Sequence, residues 1–310
     1  MSERAGARRT ATASTRVGFV GLAGRPNVGK STLANALVGA KVAIVSDRPQ
    51  TTRRAIRGIA TDETKGRQMV IVDLPGVQRP RDSLTERMQR RVEQELDDAD
   101  VALLVVDGAQ GLGPGDRFIA KALLAAGGDT PVLCAVNKCD RLSKPRVAAS
   151  LAAAAELEVV DEVFPVSAKT GAGVGPLAAC LTERLPEGPL LYPPEERSDL
   201  PTEVQLGELV REQALRRTRD EVPHAVEVVV DEVSGRDDGL IEVRAQVWVE
   251  TQSQKGILIG KGGRMAREIG TAARKELQRE LGAPVFLDLQ VKVRKHWRRD
   301  DALLDRIGIE

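Results

Sequence analysis

The octapeptide Gly24-Arg25-Pro26-Asn27-Val28-Gly29-Lys30-Ser31 constrains this chain more than any other stretch. It is a GxxxxGKS set between an apolar run, RVGFVGL at 16–22, and a helix-forming stretch, STLANALVG, that Gly39 is suited to stop. Glycines in such a loop let successive backbone N–H groups turn toward phosphate oxygens at a helix N-terminus. Lys30 would then lie on the β- and γ-phosphates, and Ser31, followed by Thr32, would offer its hydroxyl to Mg²⁺. Further along, QMVIVD (68–73), VALLVVD (101–107), PVLCAVN (131–137) and VFPVS (163–167) are apolar on both faces, as strands covered on both sides are. Helical stretches SLTERMQRRVEQELDDAD, GDRFIAKALLAAGG and KPRVAASLAAAAEL alternate with them. The pattern predicts an α/β P-loop domain, a mostly parallel sheet with helices on both faces, over 16–187.

The choice of purine falls to Asn137-Lys138-Cys139-Asp140, an NKxD at the end of a predicted strand. A carboxylate at Asp140 accepts from guanine N1–H and the 2-amino group, whereas adenine would leave it unpaired, and such hydrogen bonds discriminate by roughly 10⁴ to 10⁵. Asn137 is expected to brace the neighbouring loop, and Lys138 to lay its stem over the ring. Ser167-Ala168-Lys169 ends the next strand, where a backbone N–H is needed for guanine O6. Asp73-Leu74-Pro75-Gly76 places a carboxylate to hold Mg²⁺ through water and the Gly76 N–H to sense the γ-phosphate. In Gln50-Thr51-Thr52-Arg53, Thr52 is the residue expected to close over Mg²⁺. Lys30, Thr52 and Gly76 are thus the catalytic candidates. Val77 follows Gly76 where Ras-like enzymes carry the glutamine that orients water, so intrinsic hydrolysis should be slow.

At 310 residues a second folded unit is expected. LPEGPLLYPPEERSDLP, at 185–201, carries five prolines and reads as a semi-rigid linker over 188–201. Beyond it come helix (202–218), strands (225–233 and 240–250), a short helix near 253–259, a long helix (264–281) and a strand (284–293). Gly260-Lys261-Gly262-Gly263, followed by Arg264, sits between the two helices. A GxxG there is the KH arrangement, in which backbone crosses close to nucleic-acid phosphates, and the order α-β-β-α-α-β predicts an α+β type 2 KH domain over 202–310. The chain's formal net charge is only +1, but residues 254–299 hold twelve cations against four anions. That is the electrostatic footprint of a nucleic-acid surface. Aromatic residues are 2% of the chain, too few for recognition by ring stacking.

Cys134, Cys139 and Cys180 form no CxxC pair, so they read as small apolar residues in a reduced compartment. No apolar run approaches the length of a bilayer span, and a soluble protein is expected. Residues 1–15 read as a disordered basic tail. A kinase or ATPase is opposed by NKCD, and a double GTPase by the lack of a second GxxxxGKS. An RNA-binding protein whose nucleotide site is mainly regulatory or structural is opposed by the intact Lys30, Ser31 and Asp73.

GRPNVGKS, QTTR, DLPG, NKCD, SAK, ILIGKGG and the ending VKVRKHWRRDDALLDRIG together closely resemble the Era GTPase family, from Arg16 to near the end of the chain. The resemblance implies a bacterial-type, cytoplasmic ribosome assembly factor that binds and hydrolyses GTP with Mg²⁺. It implies binding to the 3′ end of small-subunit (16S) ribosomal RNA through the KH domain, with peripheral membrane association as a family trait. A monomer without DNA partners is expected. In the form GRPNVGKS, Asn27 resembles the loop residue of GTPases that bind K⁺ beside the phosphates. The acidic finish, Asp300, Asp301, Asp305 and Glu310, has no assigned role.

Overall fold

A computed structural model describes residues 15–309 apart from 49, 78–79 and 127–128; the basic tail therefore lies, except for Thr15, outside the described residues. The chain enters on β1 (Arg16–Ala23), turns through the glycine loop and continues as α1 (Lys30–Val38), which Gly39 ends in the left-handed conformation. Next come β2 (Ile56–Asp62), β3 (Arg67–Asp73), α2 (Ser83–Asp97), β4 (Val101–Asp107), α3 (Pro114–Ala126), β5 (Val132–Asn137), α4 (Lys144–Ala155), β6 (Glu162–Pro165) and α5 (Val174–Arg184). The sheet runs β2-β3-β1-β4-β5-β6, parallel throughout except for β2, which pairs antiparallel with β3. Every residue of β4 and β5 is buried, the burial that their uninterrupted apolar runs require. In this arrangement the loops after β1, β3, β5 and β6 gather at one edge, outside the carboxyl ends of the strands, where open α/β sheets bind ligands.

Two elements of this first unit had no counterpart in the sequence reading. The sequence of β2, IRGIATD, is half polar, because it lies outermost and buries only part of its length. Helix α5 begins after Gly171 and Gly173, both at positive φ, and declares itself only through Leu177 and Leu181, which are fully buried in the core.

The proline-rich stretch is docked rather than free. Ser198 bridges Gly58 of β2, and Ile59 N–H donates to Arg197 O at 2.9 Å, so the stretch covers an otherwise open sheet edge. The fully buried Gln68 holds it a second time, donating to Tyr192 O and accepting from the N–H groups of Leu191 and Tyr192.

The second unit comprises α6 (Thr202–Arg217), the short α7 (Val222–Ala225), β7 (Glu227–Gly235), β8 (Ile241–Val249), α8 (Gln252–Ile259), α9 (Arg264–Leu281), β9 (Val285–Val293) and α10 (Asp301–Arg306). Its sheet runs β7-β8-β9, antiparallel then parallel, the type 2 KH arrangement. Leu206 and Val210 of α6 and Ile269, Ala273 and Leu277 of α9 pack on Val243, Ala245, Val247 and Val249 of the central strand. The acidic finish becomes α10, capped by Asp300, and its Leu304, with Ile307 and Ile309, packs beside Trp248 and Trp297 onto Leu84 and Met88 of α2. Arg87 on α2 pairs with Asp301 at 2.9 Å and Asp305 at 2.5 Å. The end of the second unit is thereby fastened to a helix of the first.

Candidate functional site

At the carboxyl edge of the first sheet the phosphate loop closes on itself. Lys30 Nζ donates to Gly24 O at 2.8 Å and Arg25 O at 3.1 Å, and burial lowers its pKa to about 8 against the pull of Asp73. An arriving phosphate would supply the counter-charge this buried amine lacks. Beside it, Ser31 Oγ lies 3.0 Å from Thr52 Oγ1, which donates to Asp73 Oδ2 at 3.2 Å. Asp73 is fully buried, and burial pushes its carboxyl upward in spite of Ser31, Lys30 and Thr52; its Oδ1 has no hydrogen-bond partner. Two hydroxyls and an orphaned carboxylate oxygen are hard oxygen donors that fit Mg²⁺. The three residues named for the metal from sequence, 21 positions apart on either side of Thr52, thus meet at one point.

Leu74 and Pro75 carry the chain from Asp73 to Gly76, which lies against the loop. A Cβ on Gly76 would stand 2.7 Å from Pro26 N, so only glycine permits this approach. Val77, in the place of the water-orienting glutamine, has a structural role. Its N–H donates to Gly24 O at 3.3 Å, and its side chain packs among Val72, Leu74 and Val92. Asn27, at φ 64°, donates from Nδ2 to Asp47 O at 3.1 Å on the rim of the cleft that Pro26, Gly29, Lys30, Ser31 and Thr32 line.

The residues expected at the base interlock. Asn137 donates to Val28 O at 3.0 Å and accepts from Ala168 N–H at 3.0 Å, bracing the phosphate loop and the SAK loop together. The Ala168 N–H, the expected donor to guanine O6, is therefore engaged by Asn137. Asp140 accepts from the Ser167 hydroxyl at 2.7 Å, a bond that holds its carboxyl below the usual range and so keeps it an acceptor. Cys139 contributes structure, its N–H donating to Val166 O at 3.1 Å; Lys169 follows on the exposed rim.

Sequence reasoning missed two carboxylates here. Asp107, at the end of β4, pairs with Lys138 Nζ at 2.7 Å while that nitrogen also donates to Asn27 O at 2.7 Å, tying the NKCD loop to the phosphate loop. Asp116, fully buried at the start of α3, holds Arg25 at 2.8 Å. Their only signal was position, a polar residue at the carboxyl end of a core strand and one in the first turn of a helix.

The loop after Gln50 also touches the second unit. Arg53 is 2% exposed and donates to Glu227, Val226 O and His224 O, while Arg54 pairs with Glu208 at 2.7 Å. In the turn between α8 and α9, Gly260, Gly262 and Gly263 all have positive φ, and Lys261 is exposed. Arg264 is exposed and pairs with Glu268 at 2.8 Å. Ile257, 48% exposed beside this loop, is an apolar contact surface the motif did not name. Two cations of the basic stripe serve the fold instead of a ligand. Arg298 pairs with Asp82 at 2.6 Å, and Arg294 stacks over Trp248 at 5.6 Å.

A family model described as a 50S ribosome-binding GTPase matches residues 19–138, and a KH-domain model matches 221–298. The chain is 49% identical to GTPase Era of Mycolicibacterium smegmatis over 296 residues, covering 94% of this chain and 98% of that protein. It is 50% identical to GTPase Era of Mycobacterium tuberculosis (strain H37Rv), with the same coverage of both chains. Among solved structures, Era in complex with MgGDPNP and nucleotides 1506–1542 of 16S ribosomal RNA superposes with a TM-score of 0.91 at 34% identity, covering 95% of this chain and 99% of that one. A variant of Aquifex aeolicus Era bound to GDP and AlF₄⁻ gives the same TM-score, identity and coverage.

Proposed function

The chain belongs to the Era GTPase family, and from that premise we propose that it couples GTP binding and hydrolysis in its first unit to recognition of the 3′ region of small-subunit ribosomal RNA by its KH unit, in the assembly of that subunit. The observation that carries this reading is the meeting of Ser31, Thr52 and Asp73 beside Lys30, on the same chain as a glycine loop open to a phosphate backbone. In this reading Lys30 neutralises the β- and γ-phosphates, the Gly76 N–H meets the γ-phosphate, and Asp140 reads the guanine edge. Ser31, Thr52 and Asp73 would hold Mg²⁺, which would supply screening of the charge on the transferred group. Asn27 is assigned to K⁺, which would stand in for an arginine finger. Lys261, with the backbone at Gly260, Gly262 and Gly263, clamps the RNA. Among the described residues no helix is long and apolar enough to cross a membrane, and a ribosomal partner would put the site of action in the cytoplasm.

Phosphate release by the full chain tests the reading, measured with and without an RNA oligonucleotide carrying the 3′ end of 16S rRNA, in K⁺ and in Na⁺. The isolated protein should turn over slowly, on the order of 10⁻⁴ to 10⁻² s⁻¹. It should be faster in K⁺, with the difference erased by Asn27→Ala, and faster again with the RNA. Equal rates in both salts would remove the K⁺ assignment, and a rate indifferent to RNA would remove the coupling.

A further inference from the structure

The loop that carries Thr52 is fastened on both sides of that residue by the KH unit. Arg211 of α6, fully buried, donates to Thr51 O and pairs with Glu208. On the far side of Thr52, Arg53 Nη1 donates to Glu227 Oε2 at 2.7 Å and Val226 O at 2.6 Å, and Nη2 to His224 O at 2.8 Å. Its guanidinium lies 5.3 Å from the centre of the Trp297 ring. Arg54 then reaches Glu208 Oε1 at 2.7 Å and Ile307 O at 2.9 Å. Thr52, between these anchors, turns its hydroxyl the other way, onto Ser31 and Asp73.

Fixing a residue's backbone costs conformational entropy, so a loop left to itself would have to meet that cost each time Thr52 reached the metal. Here partners outside the GTPase domain order the neighbours of Thr52 beforehand. The arrangement also resists partial opening. A guanidinium buried at this depth is tolerated only with its carboxylate in place, so Arg53 and Glu227 separate wholly into water or remain together.

We infer that Glu227 and Arg211 are positioning residues of the GTPase site: the KH unit holds the Thr52 hydroxyl where triphosphate-bound Mg²⁺ requires it. This rests on the reading of Thr52 as a metal ligand. The diphosphate state makes no use of Thr52 in that reading, so the effect belongs to GTP alone. The nucleotide site is therefore built from two units, with its switch loop incomplete in the first unit by itself.

The test is the Mg²⁺ concentration needed for half-maximal binding of a nonhydrolysable GTP analogue, and separately of GDP, by the full chain. Glu227→Gln should raise the requirement for the analogue on the order of tenfold, the size of one charge-assisted hydrogen bond, and leave that for GDP unchanged. Glu208→Gln, which loosens both Arg211 and Arg54, provides the same readout should Glu227→Gln fail to fold. Thr52→Ala separates the two ideas. If it leaves the requirement for the analogue unchanged, Thr52 is no metal ligand and the reading of the site falls with the inference. If Thr52→Ala raises it while the folded glutamine variants lower only the melting temperature, the interface is structural and the inference alone is overturned. Combined with Thr52→Ala, Glu227→Gln should add nothing; full additivity would also overturn it.

Discussion

Asp140 carries its carboxylate on the rim of the pocket, where the Ser167 hydroxyl donates to Oδ1 and leaves the second oxygen to a base. Replacing it by asparagine puts a donor where the base has donors, and favours a purine with a carbonyl at the 2-position. Asp140→Asn should exchange GTP for xanthosine triphosphate in competition binding; unchanged GTP affinity without a gain for xanthine would displace Asp140 from its role. Lys30 makes a pH prediction. Burial sets its pKa at about 8 in the free protein, and a bound triphosphate favours the charged form and raises it. Below that pH the ammonium is already present and affinity should be flat. Above it binding must take up a proton, and affinity should fall by up to about tenfold per unit. Lys30→Met should bind weakly and flatten the profile between pH 7 and 9. Both residues were legible from contiguous motifs. Asp107 and Asp116 were not, because their partners, Lys138 and Arg25, are 31 and 91 residues away.

The element assigned to RNA in the proposed function is the turn from α8 into α9. Gly260, at φ 70°, has no room for a side chain, since a Cβ would lie 2.9 Å from Met265 Cβ; Gly262 and Gly263 face open space. The turn is rigid at its base and open above, as close backbone approach to phosphate demands. Lys261→Asp with Gly262→Asp should abolish binding of the 16S rRNA oligonucleotide in a filter or polarisation assay while GTP affinity stays at the wild-type value. Retained RNA binding would make the turn an ordinary solvated surface. Helix α9 was readable from its period, with Ile269, Ala273 and Leu277 buried at intervals of four and Arg267 and Arg274 outward. The proline-rich stretch was readable as neither helix nor strand, but its seat along β2 was not, because backbone hydrogen bonds to an edge strand leave no side-chain period.

At the scale of the molecule, the two units meet along the loop holding Thr51 to Arg54, along α2 and along the final helix. That interface joins an apolar cluster, Leu84 and Met88 of α2 against Trp297, Leu304 and Ile307, to a set of ion pairs. Lys41 reaches Glu212 at 2.7 Å, and Arg53, Arg54 and Arg211 converge on Glu208 and Glu227. Sites joined through such a contact must affect each other equally. A nonhydrolysable GTP analogue should therefore tighten rRNA binding by the same factor that rRNA tightens the analogue, roughly 5- to 150-fold, and GDP should do much less. Isothermal titration in both orders, at constant Mg²⁺ and salt, checks the reciprocity; three equal rRNA affinities with analogue, GDP and no nucleotide would mean two independent modules.

GxxxxGKS, NKCD and GKGG announce their chemistry because each site is made by a few consecutive residues, whose backbone torsions and donors are set locally. Those short stretches were enough to specify the two folds and the purine, and to nominate the phosphate and RNA loops. The partners of the interface arginines were another matter. The chain offers 45 acidic residues, and no period or spacing singles out Glu227 for Arg53 or Glu208 for Arg54. Those pairs span 174 and 154 residues, and they form only because packing of α6, β7 and the C-terminal helix against the switch loop excludes water and brings the three guanidiniums onto the same two carboxylates.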